Sequence, residues 1–329
     1  MGEPALAGLA PVGSDRNLRR LGALALLVLP LLLCPAAVRA AQGGPVRVVA
    51  TTPDLKSLVE AVGGDAVVAA SLVPPGADPE AYEVRPGDLL GLRGADLVVR
   101  VGLGYDHWLD PLLARHADPK LMRGGAGQVD ASAGIPLLEV LGSSVEAGAT
   151  GGHAHGLANP HYWLDPANAE TITAGIADGL ARVAPGRAAL VAENRGRFLA
   201  GLARRLASWQ ARLAPYAGAP VVAYHNDWPY FARRFRLNVV AVVEPKEGIA
   251  PSPAQLARVA GLMREQGVRV VLAKPNAPRG PAEAVAARTG ARVVVLAGSV
   301  GELSGTGDYL GLFEVDVDVL HDAFEAGGR

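Results

Sequence analysis

Short runs of β-branched residues alternate with amphipathic stretches on both sides of one long, unbroken helical segment. Before that segment, strands are predicted at Val46–Ala50, Val67–Val73 and Leu97–Val101, with helices at Asp54–Val62, Gly87–Gly94 and His107–Arg115. After it, strands are predicted at Val221–Tyr224, Asn238–Val243, Val268–Ala273 and Arg292–Leu296, with helices at Pro229–Phe235, Pro253–Glu265, Pro281–Thr289 and Tyr309–Phe324. This alternation argues for βαβ units, because parallel strands need a crossover between them and a helix usually supplies it. The long segment, Arg187–Leu213, follows a first helical stretch at Ala167–Val183 and a break at Pro185. In it Leu190, Phe198, Leu202, Leu206 and Leu213 recur at helical spacing, and its 27 residues make a rod of about 40 Å. The predicted fold class is α/β, with two βα lobes of mainly parallel sheet joined by one long connecting helix. The divisions are 41–185 for the N-terminal lobe, 186–214 for the connecting helix and 215–329 for the C-terminal lobe.

Residues 1–40 stand outside this plan. Arg16, Arg19 and Arg20 precede an apolar run from Leu21 to Cys34, and Val38-Arg39-Ala40 then presents small side chains at the two positions a signal peptidase reads. The run is too short to span a bilayer. A signal peptide cleaved after Ala40 is therefore predicted, which places the mature chain in a periplasmic or other extracytoplasmic compartment. Lipid anchoring through Cys34 is the alternative, disfavoured because Leu33 stands where lipoprotein processing wants a small residue. The whole chain has 31 basic and 32 acidic residues, net -1, and removal of 1–40 leaves about -3. Nothing in that balance suits a nucleic-acid partner. Cys34 is the only cysteine, so a metal site in the mature chain must be built from His, Asp or Glu. Residues 141–158, rich in Gly, Ser and Ala, read as an exposed loop that carries His153 and His155.

Familiar nucleotide and nucleophile motifs do not appear. Gly102-Leu103-Gly104 lacks the third glycine of a dinucleotide fingerprint, and neither a phosphate-loop GK[ST] nor a G-x-S-x-G elbow exists. Three residues stand out by position. Glu80 lies in the turn-rich Pro74–Glu83 segment after a predicted strand, His161 lies between Pro160 and Pro166, and His225 ends the predicted strand Val221–Tyr224. Ligands of open α/β sheets bind outside the carboxyl ends of the strands. A carboxylate with two imidazoles suits Zn²⁺, Mn²⁺ or Fe²⁺, although any one of the three alone reads as an ordinary turn or core residue.

At these segments the chain resembles the zinc- and manganese-binding solute-binding proteins of ABC transporters, the cluster A-I family. The likeness runs through Val48-Val49-Ala50-Thr51-Thr52, Gly63-Gly64-Asp65, Gly76-Ala77-Asp78-Pro79, Tyr82-Glu83 and Ala95-Asp96-Leu97-Val98-Val99. It continues through Gly102-Leu103-Gly104, Trp108-Leu109, Asn159-Pro160-His161, Trp163-Leu164-Asp165-Pro166, His225 with Tyr230-Phe231, and Pro251-Ser252-Pro253. The resemblance implies a metal held between two lobes, with zinc the first expectation and manganese or iron the others. His161 and His225 match the second and third family ligands, and Glu80 stands where the first is usually His. The fourth is usually an acid after the last strand, but Val295–Gly301 carries none. Glu302 or Asp308 would reach in only if the loop folds back, and Lys274 stands where an acid is also expected.

The function these residues imply is capture of a divalent transition metal and its delivery to a membrane permease of an ABC transporter, by a protein that is a monomer and not an enzyme. Affinity is expected to fall as the histidines take up protons below about pH 6. Two other readings stay open: a metal-dependent hydrolase with an open coordination position, and a cell-adhesion protein or binder of another solute.

Overall fold

The computed structural model describes residues 44–139, 158–246 and 248–327. The predicted export segment with Cys34, and the loop histidines His153 and His155, lie outside the described residues. Two four-stranded sheets, parallel throughout, form the frame. The first contains β1 (Val46–Ala50), β2 (Val67–Ser71), β3 (Leu97–Arg100) and β4 (Gln128–Asp130), in the order β2-β1-β3-β4. The second contains β5 (Pro220–Ala223), β6 (Asn238–Val242), β7 (Val270–Ala273) and β8 (Arg292–Val295), in the order β6-β5-β7-β8. In each, the chain adds one neighbour to the first strand and then crosses to its other side. The crossover leaves a crevice at the carboxyl ends, between β1 and β3 and between β5 and β7.

The first sheet is joined by α1 (Pro53–Gly63), α2 (Pro86–Gly91) and α3 (Leu109–His116), and followed by α4 (Ala169–Val183). The second is joined by α6 (Pro229–Phe235), α7 (Pro253–Glu265) and α8 (Arg279–Thr289), and followed by α9 (Tyr309–Gly327). Helix starts follow their caps. Thr52 accepts from Leu55 N at 3.4 Å with Pro53 next in line, and Ser252 accepts from Gln255 N at 3.2 Å with Pro253 next. A run of strand valines buried on both faces, as in β3 and β7, is what a parallel sheet covered by helices requires.

Between the sheets runs α5 (Ala188–Leu213), 26 residues long. Its buried stripe is Val191, Leu202, Trp209 and Leu213, with Phe198 and Leu206 half-buried. Leu190, predicted to belong to that stripe, is exposed: one residue from Val191 is a turn of about 100° around the helix, and Val191 takes the inward place. Trp209 packs on Phe313 of α9 at 5.6 Å and donates its indole N–H to Glu314 at 3.1 Å. The main apolar cluster includes strand residues from both sheets, so the lobes share one core. Strand β4 was not predicted, because three residues show no period of their own; pairing with β3 from Val98↔Gln128 to Arg100↔Asp130 makes it a strand.

Candidate metal centre

Each of the three singled-out side chains is positioned by its own local device. Glu80 stands in the segment between β2 and α2. Its N–H donates to Asp78 Oδ1 at 3.0 Å, an Asx turn, and the indole of Trp108 donates to Pro79 O at 3.0 Å. Tyr82 packs against Trp108 at 4.9 Å with the rings tilted, and donates its hydroxyl to Leu72 O, tying the loop back to its strand. His161 is buried against Tyr105 at 5.5 Å and Trp163 at 5.2 Å. The Asn159 amide nitrogen donates to Asn226 O and to Glu139, so its oxygen is the acceptor for both His161 N–H groups, the backbone at 3.0 Å and Nδ1 at 3.2 Å. This network assigns the Nδ1 proton and turns Nε2 toward the crevice. His225, just beyond β5, has Nδ1 2.6 Å from Glu244 Oε2, and Glu244 lies just beyond β6 with Oε1 accepting from Gly248 N. Carboxylate on one ring nitrogen, the other ring nitrogen turned into the site, is how proteins orient and strengthen a metal-binding imidazole.

The structure brings Glu80, His161 and His225 together. One ligating atom from each lies within 4.8 Å of the others, with Glu80 Oε1 3.8 Å from His161 Nε2 and Glu80 Oε2 3.6 Å from His225 Nε2. Glu80 comes from the first sheet's side and His225 from the second's, while His161 sits on the connection between them. A cleft of about 230 Å³, lined by Asp78, Glu80, His225, Glu244, Lys274 and Asn276 among others, leads to the group.

Asp227 and Lys274, the latter standing where the family resemblance implies an acid, complete the surroundings. Asp227 Oδ1 is 3.2 Å from His161 Nε2 and 2.8 Å from Lys274 Nζ, and Lys274 follows β7 directly. The available signal was a charged residue just past each of β5, β6 and β7. Burial alone would make the Asp227 carboxylate a weaker acid, but the charges of Lys274 and His225 outweigh it and hold its pKa well below the usual range. Burial works against the Lys274 ammonium too, and Asp227 with Glu80 overcomes it and raises the pKa. For His225 burial is likewise outweighed, by Asp227 and by the Glu244 hydrogen bond, lifting the pKa to about 9. Burial does win at His161, whose pKa is lowered. The two imidazoles thus differ, and the single expectation of protonation below about pH 6 does not fit His225.

The two acids considered for a fourth place are engaged elsewhere. Glu302 accepts from Gly298 N at 2.7 Å, and Asp308 accepts from Gly311 N at 2.7 Å at the start of α9. The whole exit from β8 is held in this manner: Ala297 N donates to Asp316, and Ser299 Oγ and Val300 N donate to Asp54 of α1.

The sequence profile of the family described as ZnuA, zinc-uptake complex component A periplasmic, matches residues 48–323. The chain belongs to that family. The high-affinity zinc uptake system protein ZnuA of Paracoccus denitrificans is 28% identical over 285 residues, covering 78% of this chain and 83% of that protein. The manganese-binding lipoprotein MntA of Halalkalibacterium halodurans is 25% identical over 285 residues, covering 85% and 88%. Among solved structures, the SBP FpvC of Pseudomonas aeruginosa in complex with Mn²⁺ is similar with a TM-score of 0.73 at 28% identity, covering 86% of this chain and 99% of that one. The membership bears out the resemblance read from the sequence, and the two-lobe α/β architecture goes with it.

Proposed function

We propose that this chain is the metal-capturing, solute-binding component of an ABC transporter, taking a divalent transition metal at Glu80, His161 and His225 and handing it to a membrane permease. Zinc is the first cargo, because its relatives include zinc-uptake proteins and because two imidazoles with one carboxylate is a donor set it favours. Relatives named for manganese and iron keep those metals as the alternatives. The observation that carries the reading is the spacing of the three donors. A tetrahedral ion with bonds of about 2.1 Å sets its ligands about 3.4 Å apart. Glu80 puts one oxygen near each imidazole, Oε1 at 3.8 Å from His161 and Oε2 at 3.6 Å from His225, and one donor atom from each of the three residues lies within 4.8 Å of the others.

Capture would take place outside the cytoplasm, delivered there by residues 1–40 as a cleaved signal peptide or a Cys34 lipid anchor. No helix among the described residues is long and apolar enough to cross a membrane. The test is metal analysis of the purified protein together with calorimetric titration of zinc, manganese and iron. Stoichiometric binding that disappears in the Glu80→Ala, His161→Ala, His225→Ala triple variant is the expected result. A triple variant that binds as the parent does would refute the assignment.

A further inference from the structure

Three donors leave one corner of a tetrahedral ion open, and the structure places a specific pair of charges beside one of the three, His161, with Asp227 outside the set of donor atoms that lie within 4.8 Å of one another, so that it must turn to reach the ion. Asp227 Oδ1 lies 3.2 Å from His161 Nε2, close to the separation of two ligands on one ion. The same oxygen is in contact with Lys274 Nζ at 2.8 Å, so an ammonium sits within about 6 Å of a ligating nitrogen. Both members of the pair are buried or nearly so, with side-chain exposures of 1% and 11%. The lysine is built in by its surroundings. A Cβ at Gly298 would fall 2.5 Å from Lys274 Cδ, so the lysine stem runs through space that any side chain at position 298 would need. A glycine on the β8 exit and the path of the lysine after β7 are therefore coupled, and an acidic ligand at 298 would require the Lys274 stem to move.

We infer that Asp227 supplies the fourth ligand to the cargo, and that Lys274 is the ammonium a dication must displace from it, so that Lys274 sets affinity. The inference rests on the capture site proposed above and adds to it. Metal-free, the pair neutralises itself in a place where a lone carboxylate would be costly. When the dication enters, Asp227 turns from the ammonium to the ion, and Lys274 is left to the acids lining the mouth of the cleft, Asp78 and Glu244. The lysine acts as a resident competitor: it lowers affinity by holding the ligand, and it is in place to recover that ligand when the ion leaves.

Zinc titration of the full chain against a competing chelator, repeated on four variants, tests this. Asp227→Asn should weaken zinc at least tenfold, and Lys274→Met should tighten it at least tenfold. In the double variant, removal of the lysine should give no gain over Asp227→Asn alone. Cobalt(II) is the second probe: the parent should give the intense visible bands of a four-coordinate ion, and Asp227→Asn should lose much of that intensity. A folded Lys274→Met protein that binds zinc no tighter than the parent overturns the inference, as does a cobalt spectrum unchanged by Asp227→Asn. Should Lys274→Met not fold, Lys274→Gln and the cobalt spectrum decide by the same criteria. The fourth variant, His161→Ala, separates the two proposals. Loss of binding there, with Asp227→Asn and Lys274→Met at parental affinity, defeats this inference alone, whereas a parent that takes up no metal defeats both.

Discussion

The two sheets have the same strand order, yet they treat charge at their carboxyl ends in opposite ways. On the first, Arg100 ends β3 fully buried and is closed off by its own neighbours: Asp106 at 3.0 Å and Asp110 at 2.6 Å. Asp106 also accepts from Thr51 Oγ1, Val101 N and Gly102 N. Gly102 turns there with φ of 81°, where a Cβ would lie 2.2 Å from Asp130 Oδ1. The charges in this group are paired inside the same lobe, Asp110 also with Arg123 at 2.8 Å. On the second sheet, His225, Glu244 and Lys274 follow successive strand ends, and their partners are in the site itself. One sheet uses buried ion pairs to fix a loop, the other to prepare a binding centre. The same physics, burial of charge with compensation, serves stability in one place and affinity in the other.

Breaking the first arrangement should have the largest effect. Arg100→Met leaves Asp106 buried without its cation and should cost about 3–5 kcal/mol of stability, roughly 5–8 °C in Tm by the usual scaling with chain size. Zinc affinity measured where the variant is folded should stay within about threefold of the parent. A loss of affinity with no loss of stability would erase the distinction between the sheets.

The seam between the lobes supplies the next test. Burial lifts Asp54 from 3.8 to about 6 and Glu302 from 4.5 to about 7, against the hydrogen bonds each accepts from the β8 exit. Both bind protons more tightly folded than unfolded. Their contribution is therefore most favourable below the unfolded pKa and is lost as pH rises through the folded one, over about 4 to 6 for Asp54 and 4.5 to 7 for Glu302. At 1.36 kcal/mol per unit this amounts to roughly 3 kcal/mol each at most. Thermal unfolding followed from pH 4 to 8 should show that decline, and Asp54→Asn should flatten its lower part.

On the second sheet, Glu244→Gln keeps the shape but removes the charge behind His225. It should lower zinc affinity about 10- to 100-fold and, because the Glu244 hydrogen bond is part of what raises the His225 pKa to about 9, lower Tm near neutral pH as well, as read by titration and thermal melts in parallel. The smallest effect belongs to the exposed Lys56–Glu60 pair on α1. Lys56→Ala should cost about 0.3–0.5 kcal/mol by denaturant titration and leave metal binding as it was.

Much of this molecule was legible in its residues because the signals are local. Valine runs and helix caps such as Thr52-Pro53 and Ser252-Pro253 act within a few positions, and so the strands β1, β3, β5 and β8 and the helix α7 fall where the pattern predicts. Glu80, His161 and His225 were marked by turn-forming neighbours and strand ends. What escaped depends on contacts between distant segments. The strand character of Gln128–Asp130 comes from β3, and the inward place on α5 goes to Val191 rather than Leu190 because of what that face meets. Asp227 and Lys274 gain their meaning only from each other, through a fold that brings the ends of β5 and β7 together and through a glycine on the β8 exit that neither residue announces.

The apolar core common to both sheets has a mechanical consequence. Trp209 and Leu213 of α5 pack with α9 into a cluster that also holds strand residues of both lobes, and Tyr309 of α9 donates its hydroxyl to Trp163 O and its backbone N–H to Ser57 Oγ. Swinging the lobes apart would wet that cluster and break those bonds together. The shared core therefore works as a clamp on the two walls of the cleft, which the Pro74–Glu83 turn and the segments leaving β6 and β7 help to line.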